Sequence, residues 1–162
     1  MQNRYDLKRY AVLYVDDEEK ALKYFEKSFG GEFRILTASS GAEGLELLAR
    51  NEVDVIVSDQ RMPGMTGVDF LRRCKVMRPE TIRMTLSGFT DLQSIIDAVN
   101  EGAVYKFLTK PWDDERLREH VAQAFQQKRL VDENARLHQQ VTQANADLAR
   151  MNQRLEGLLA RQ

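Results

Sequence analysis

The sequence predicts an α/β protein: a doubly wound, five-stranded parallel sheet followed by an extended C-terminal helix that forms a coiled coil. Three observations predict it. Short β-branched runs alternate with helical apolar spacing through the first two thirds of the chain, which implies parallel strands joined by crossover helices. Carboxylates and small polar residues recur where those runs end, the edge at which open α/β sheets bind ligands. From Gln126 onward the aromatics vanish and a seven-residue apolar repeat begins.

The elements follow in order. Residues 1–9 are polar and read as an N-terminal arm. Residues 10–15, YAVLYV, are the first strand, which runs into Asp16 and Asp17. Residues 18–29 carry Ala21, Leu22, Phe25 and Phe29 at helical spacing, and Gly30-Gly31 stops that helix. Residues 33–37, FRILT, are a second strand, and residues 42–51 a helix with Leu45, Leu47 and Leu48. Residues 53–58 form the third strand; Val53, Val55, Ile56 and Val57 are the continuous apolar run of a strand buried on both faces. Asp59 stands at its end, before a loop broken by Pro63, Gly64 and Gly67.

A helix over 68–77 carries Phe70, Leu71 and Val76, with Pro79 just past it. The fourth strand, 82–86, ends at Ser87-Gly88. A helix over 92–100 carries Ile95, Ile96 and Val99 and stops at Gly102. The fifth strand, 104–108, ends at Thr109-Lys110-Pro111, and from Asp113 the chain is helical in character. Right-handed crossovers and the order 2-1-3-4-5 would set strands 1 and 3 side by side. The sheet domain then covers 10–126 and the coiled-coil helix 127–162.

Composition excludes several classes. The chain has 162 residues, 43% apolar and 30% charged, enough for one core and an appendage. Its net charge of −1 gives no general reason to expect direct nucleic-acid or membrane binding. Cys74 is the single cysteine, so there is no intrachain disulfide and no multi-cysteine zinc site; it reads as a half-buried helix residue. No apolar run approaches the ~20 residues of a membrane span, and the N-terminus lacks a signal-peptide core. A cytoplasmic protein is the expectation.

With strands 1 and 3 adjacent, Asp16, Asp17 and Asp59 converge on one rim, with Ser87 and Lys110 at the ends of strands 4 and 5. Three carboxylates that close cannot all stay ionised without a cation. Hard oxygen ligands in small number suit Mg²⁺. Acids, one hydroxyl and one ammonium together suit phosphoryl transfer to an aspartate nucleophile. Each residue has a blander reading. An Asp pair before a helix is often an N-cap, a lone Asp after a strand a turn residue, Ser-Gly a turn and Lys a surface charge. Their shared position, at one end of different strands, argues against taking these readings together.

Over residues 8–128 the chain resembles the receiver domain of two-component response regulators. The resemblance rests on Asp16-Asp17, the SDxxMPGMxG segment from Ser58 to Gly67, Ser87 followed by Gly88, and TKPW from Thr109 to Trp112. It implies the flavodoxin-like fold. It also implies that Asp59 is the phosphoacceptor and that Asp16 and Asp17 hold Mg²⁺, directly or through water, with Asp59 and the backbone carbonyl of Arg61. Ser87 is then the switch hydroxyl, Lys110 the phosphoryl partner and Phe107 the switch aromatic. Lys110-Pro111 is expected to be cis. Arg61 and Phe89 flank the line of water attack and tune dephosphorylation. Phe107 lacks the hydroxyl of the frequent Tyr, so no tyrosine-specific bond belongs to its switch.

The resemblance implies a phosphorylation-activated switch rather than an enzyme acting on other substrates. A histidine kinase or phosphotransfer protein is its partner, and the face of the fourth helix, fifth strand and fifth helix relays its state. Leu130, Leu137, Ala144, Met151 and Leu158 fall seven apart at d positions; Asn134, Val141, Leu148 and Leu155 fall at a. This predicts a homodimer through a parallel coiled coil, against the alternative of one amphipathic helix packing back on the domain. The gln-arg-met-pro loop and TKPW resemble receivers joined to cyclic-di-nucleotide enzymes, phosphatases or ATPase activators. The chain is either part of a longer protein with an output domain or a complete adaptor. A haloacid-dehalogenase-type phosphatase would place a second Asp where Arg61 stands, and a phosphorylation-independent scaffold would not need Asp59, Lys110 and both acids intact.

Overall fold

The structure, a computed structural model, describes residues 10–88, 92–109 and 113–161. The expected arm, Phe89, Lys110, the Lys110-Pro111 bond and Trp112 lie outside the described residues. Among the described residues five strands and five helices alternate: β1 Ala11–Val15, α1 Glu19–Phe29, β2 Arg34–Ala38, α2 Gly41–Arg50, β3 Val55–Asp59, α3 Gly67–Met77, β4 Ile82–Ser87, α4 Leu92–Asn100, β5 Lys106–Thr109 and α5 Asp114–Ala160. The sheet is parallel with the order 2-1-3-4-5. The central strands are β1, β3 and β4, and every residue of all three is buried. That burial explains the unbroken apolar runs of β1 and of residues 55–57 in β3.

Alternation along β1 sends Leu13 and Val15 to one face and Val12 and Tyr14 to the other. Leu13 and Val15 join Leu48, Ile56, Phe70, Leu71, Cys74 and Ile95 in the core beneath α2, α3 and α4. The opposite face carries a chain of rings. Tyr14 stacks on Phe25 at 4.1 Å between centroids, Phe25 meets Phe29, Phe29 meets Phe33, Phe33 meets Phe125 of α5, and Phe125 meets Tyr10. Arg118 lies over Phe29 and pairs with Glu32 at 2.7 Å, so α1 and the first part of α5 share that face.

The helix starts have identifiable causes. Ser40 accepts from the Glu43 amide, and Glu43 accepts from both Ser39 groups, a reciprocal cap on α2. Thr66 accepts from the Asp69 amide and caps α3.

Two side chains and one strand boundary depart from expectation. Cys74 is fully buried rather than half-buried, and burial pushes its thiol up to about 12, out of the reactive range. Val76 is 86% exposed, because Phe70, Leu71 and Cys74 already fill the inner stripe of α3. Val104 precedes β5, its amide held by the Ala98 carbonyl at the end of α4. Arg83, inside β4, is buried and donates to the carbonyls of Thr81, Gly102 and Ala103 at 2.8–3.1 Å. Its desolvation is offset by these carbonyl acceptors.

By internal contacts the chain divides into two units, Met1–Lys128 and Arg129–Gln162. In the first, buried Lys128 lies 3.9 Å from Asp54, which accepts from the Ala11 amide at the start of β1. The second unit is helical to Ala160. Along it Leu130, Leu137, Val141, Leu148, Met151, Leu155 and Leu158 are 45–60% exposed. No helix among the described residues is long and apolar enough to cross a membrane.

Candidate functional site

Register builds the site. Val15 pairs with Ser58 across β1 and β3, so Asp16 and Asp59, the next residues on each strand, emerge side by side. Asp59 pairs with Leu86 on β4, and Ser87 with Thr109 on β5, so Ser87 ends the neighbouring strand on the same rim. Carboxylate oxygens of Asp16, Asp17 and Asp59 all lie within 4.8 Å of one another. Ligand oxygens around one Mg²⁺ at about 2.1 Å stand about 3–4 Å apart. The three acids therefore match a small, hard cation in chemistry and in scale. Asp16 and Asp59 are buried and Asp17 is exposed, so the cluster opens to solvent at Asp17.

The acidic pair is not a helix cap. The N-cap of α1 is Glu18, with no side-chain capping bond. Asp16 Oδ1 instead accepts from the Glu18 amide at 3.0 Å, and Oδ2 accepts from the Tyr14 hydroxyl at 3.0 Å. Burial raises the Tyr14 phenol well above its ordinary value and the Asp16 charge adds to this, so the phenol stays protonated and donates.

The loop after Asp59 is fixed by Gln60. Its amide donates to the Leu86 carbonyl, its carbonyl accepts from the Gly67 amide, and its side-chain oxygen accepts from the Val68 amide at 2.8 Å. One buried residue thus ties the ends of β3 and β4 to the start of α3. Between those ties Arg61, two residues past Asp59, is exposed. Gly67 is required by proximity: a Cβ there would stand 2.3 Å from the Asp59 carbonyl oxygen.

Ser87 is buried, and its hydroxyl donates to the Gly88 carbonyl at 2.8 Å. Phe107 is half-buried and packs against the main core. The structure thus brings Asp16, Asp17 and Asp59 together and sets Ser87 at the neighbouring strand end. Sequence reasoning passed over Tyr14 and Gln60. Tyr14 was detectable as a hydroxyl two residues before Asp16 on the same strand face. Gln60 gave no local signal, because its role depends on where α3 returns.

Comparison with known proteins places this geometry. Residues 12–122 match the family described as response regulator receiver domain. The chain is 42% identical over 130 residues to the hydrogenase transcriptional regulatory protein HoxA of Cupriavidus necator, covering 80% of this chain and 27% of that protein. It is 30% identical over 146 residues to the C4-dicarboxylate transport transcriptional regulatory protein DctD of Rhizobium meliloti, covering 88% and 31%. The chain therefore spans roughly a quarter to a third of these curated relatives. Among solved structures, a response regulator receiver domain protein from Clostridium thermocellum is 32% identical with a TM-score of 0.71, covering 75% of this chain and 98% of that one. The signal receiver domain of an HD domain-containing protein from Pseudomonas fluorescens is 34% identical with a TM-score of 0.72, covering 78% and 93%.

Proposed function

The chain belongs to the response regulator receiver domain family, and on that footing we propose that it is a phosphorylation switch with Asp59 as phosphoacceptor. The convergence of three carboxylates at adjacent strand ends carries this reading. A histidine kinase or phosphotransfer protein supplies the phosphoryl group. An Asp59 oxygen attacks phosphorus in line with the departing imidazole nitrogen; the new O–P bond forms as the N–P bond breaks.

Asp16, Asp17, Asp59 and the Arg61 carbonyl are the groups that would hold Mg²⁺, Asp16 and Asp17 directly or through water. When bound, the ion supplies charge neutralisation for the phosphoryl oxygens. Lys110 pairs with the phosphoryl group and the Ser87 hydroxyl donates to it. Turning Ser87 toward phosphate gives up its bond to the Gly88 carbonyl, which shifts the loop after β4. That shift makes room for Phe107 to turn further into the core. The face of α4, β5 and α5 then changes shape, as a population shift between two packings.

The seam of the second unit supports a parallel two-stranded coiled coil with a second copy of the chain. Leu130, Leu137, Ala144, Met151 and Leu158 occupy d, and Asn134, Val141, Leu148 and Leu155 occupy a. In this reading the coil carries the phosphorylation state to an output domain, a role that the greater length of the named relatives supports. The chain acts in the cytoplasm and catalyses only its own phosphotransfer and dephosphorylation. Arg61 stands where an aspartate-nucleophile phosphatase would carry its general acid, which disfavours that chemistry.

Mass measurement after a small-molecule phosphodonor and Mg²⁺ separates the possibilities. A single Mg²⁺-dependent phosphoryl adduct supports the switch. Sustained donor turnover would support a phosphatase, and neither adduct nor turnover would support a scaffold.

A further inference from the structure

We propose that Tyr14 is a positioning residue for the acidic site: its hydroxyl holds the Asp16 carboxylate in the orientation that receives Mg²⁺. The inference rests on the reading of Asp16, Asp17 and Asp59 as the Mg²⁺ residues. Tyr14 and Asp16 are two apart on β1, so both side chains leave the same face of the strand. The Tyr14 hydroxyl donates to Asp16 Oδ2 at 3.0 Å. The Glu18 amide donates to Oδ1 at the same distance, so each carboxylate oxygen has its own donor.

The ring is itself immobilised. Tyr14 is 3% exposed and lies nearly parallel to Phe25, with an interplanar angle of 5°. Phe25 is braced in turn by Phe29. Along the ladder from Tyr14 to Tyr10 the intervening rings are all phenylalanine, so only the two ends carry hydroxyls. The hydroxyl at the Tyr14 end meets a carboxylate of the acidic cluster. A phenylalanine would fill the same core space, so packing alone does not account for the oxygen.

A donor here has a definite consequence. Asp16 must present an oxygen in fixed geometry, and partners that orient ligands commonly govern metal affinity. Asp17, exposed at the mouth of the cluster, is free to adjust to the ion; Asp16 is the fixed wall.

The test is titration calorimetry of Mg²⁺ into the full chain as wild type, Tyr14→Phe, Asp16→Asn and the double variant. Tyr14→Phe should weaken Mg²⁺ binding by about 10-fold. Its melting curve in chelator should stay close to wild type, because ring and stacking are kept. In the double variant, Tyr14→Phe should add nothing to the loss from Asp16→Asn, the non-additivity of residues acting through one another. Wild-type affinity in Tyr14→Phe, or an additive loss in the double variant, would overturn the role of Tyr14 while leaving the site intact. Failure of wild type to bind, or wild-type affinity in Asp16→Asn, would instead overturn the reading of the acids themselves.

Discussion

Gly67 lies against the backbone of Asp59: an added Cβ would stand 2.3 Å from the Asp59 carbonyl oxygen and 2.9 Å from the Gln60 Cα. Both contacts are to backbone, which cannot swing aside. Gly67→Ala should therefore push the start of α3 away from the end of β3, at a cost of about 3 kcal/mol or more. The same displacement moves Arg61, so phosphodonor labelling should fall sharply in protein that remains folded. Gly64, with φ of +81° and open space around its Cα, makes the control. Gly64→Ala should cost only about 1–2 kcal/mol, from backbone conformation alone. Urea melts of the two variants check the contrast.

Self-dephosphorylation should be slow, because the residues flanking the line of water attack, Arg61 and Phe89, are both large. Arg61→Asn combined with Phe89→Ala should speed loss of phosphate from the labelled protein. Decay followed by phosphoprotein gel gives the answer; unchanged or slower decay would remove the steric explanation.

Most of this fold was legible because the strands are central. β1 and β3 are buried along their whole length, and the apolar runs 11–15 and 55–57 reflect it. The acids were legible because adjacent strand ends follow from strand order. Other features depend on where distant segments return. Arg83 breaks an apolar strand pattern, and only the carbonyls of Gly102 and Ala103 explain it. Val76 groups with Phe70 and Leu71 as an apolar residue of α3 yet faces solvent, because six residues past Phe70 the helix has turned it away from the stripe that Phe70, Leu71 and Cys74 form. Gln60 could not be singled out before its bonds to Gly67 and Val68 were known.

His120 should give the domain a mild acid sensitivity. Its Nδ1 is buried without a hydrogen-bond partner. Burial lowers its pKa from the ordinary value, and the charges of Lys106 and Arg116 add to this, with Glu119 opposing. The unfolded chain therefore binds the proton more readily than the folded one. Stability should fall as pH drops below about 6.5, toward the lowered folded value, and recover above it. His120→Gln should flatten that part of the profile, read as the difference between variant and wild-type melts across pH 7 to 5.5. A difference that grows in the opposite direction would contradict the sign.

The coil should dimerise the chain even without phosphate. Asn134 is the polar residue at an a position, and a buried Asn pairs with its symmetry mate in a parallel, in-register dimer and is unpaired in most alternatives. Asn134→Leu should raise the melting temperature of the coil and loosen oligomer choice toward trimers or mixed registers. Sedimentation of the wild type at tens of micromolar checks this. A monomer with and without phosphodonor would remove the coiled-coil output from the account.

The central claim is that Asp59 receives the phosphoryl group, and site mapping tests it most directly. Protein treated with phosphodonor and Mg²⁺ is reduced with borohydride, which converts an aspartyl phosphate to homoserine, and then digested and sequenced by mass. The account predicts homoserine at position 59, and no adduct in Asp59→Asn. Homoserine at Asp16 or Asp17, or an Asp59→Asn protein that labels as well as wild type, would contradict it.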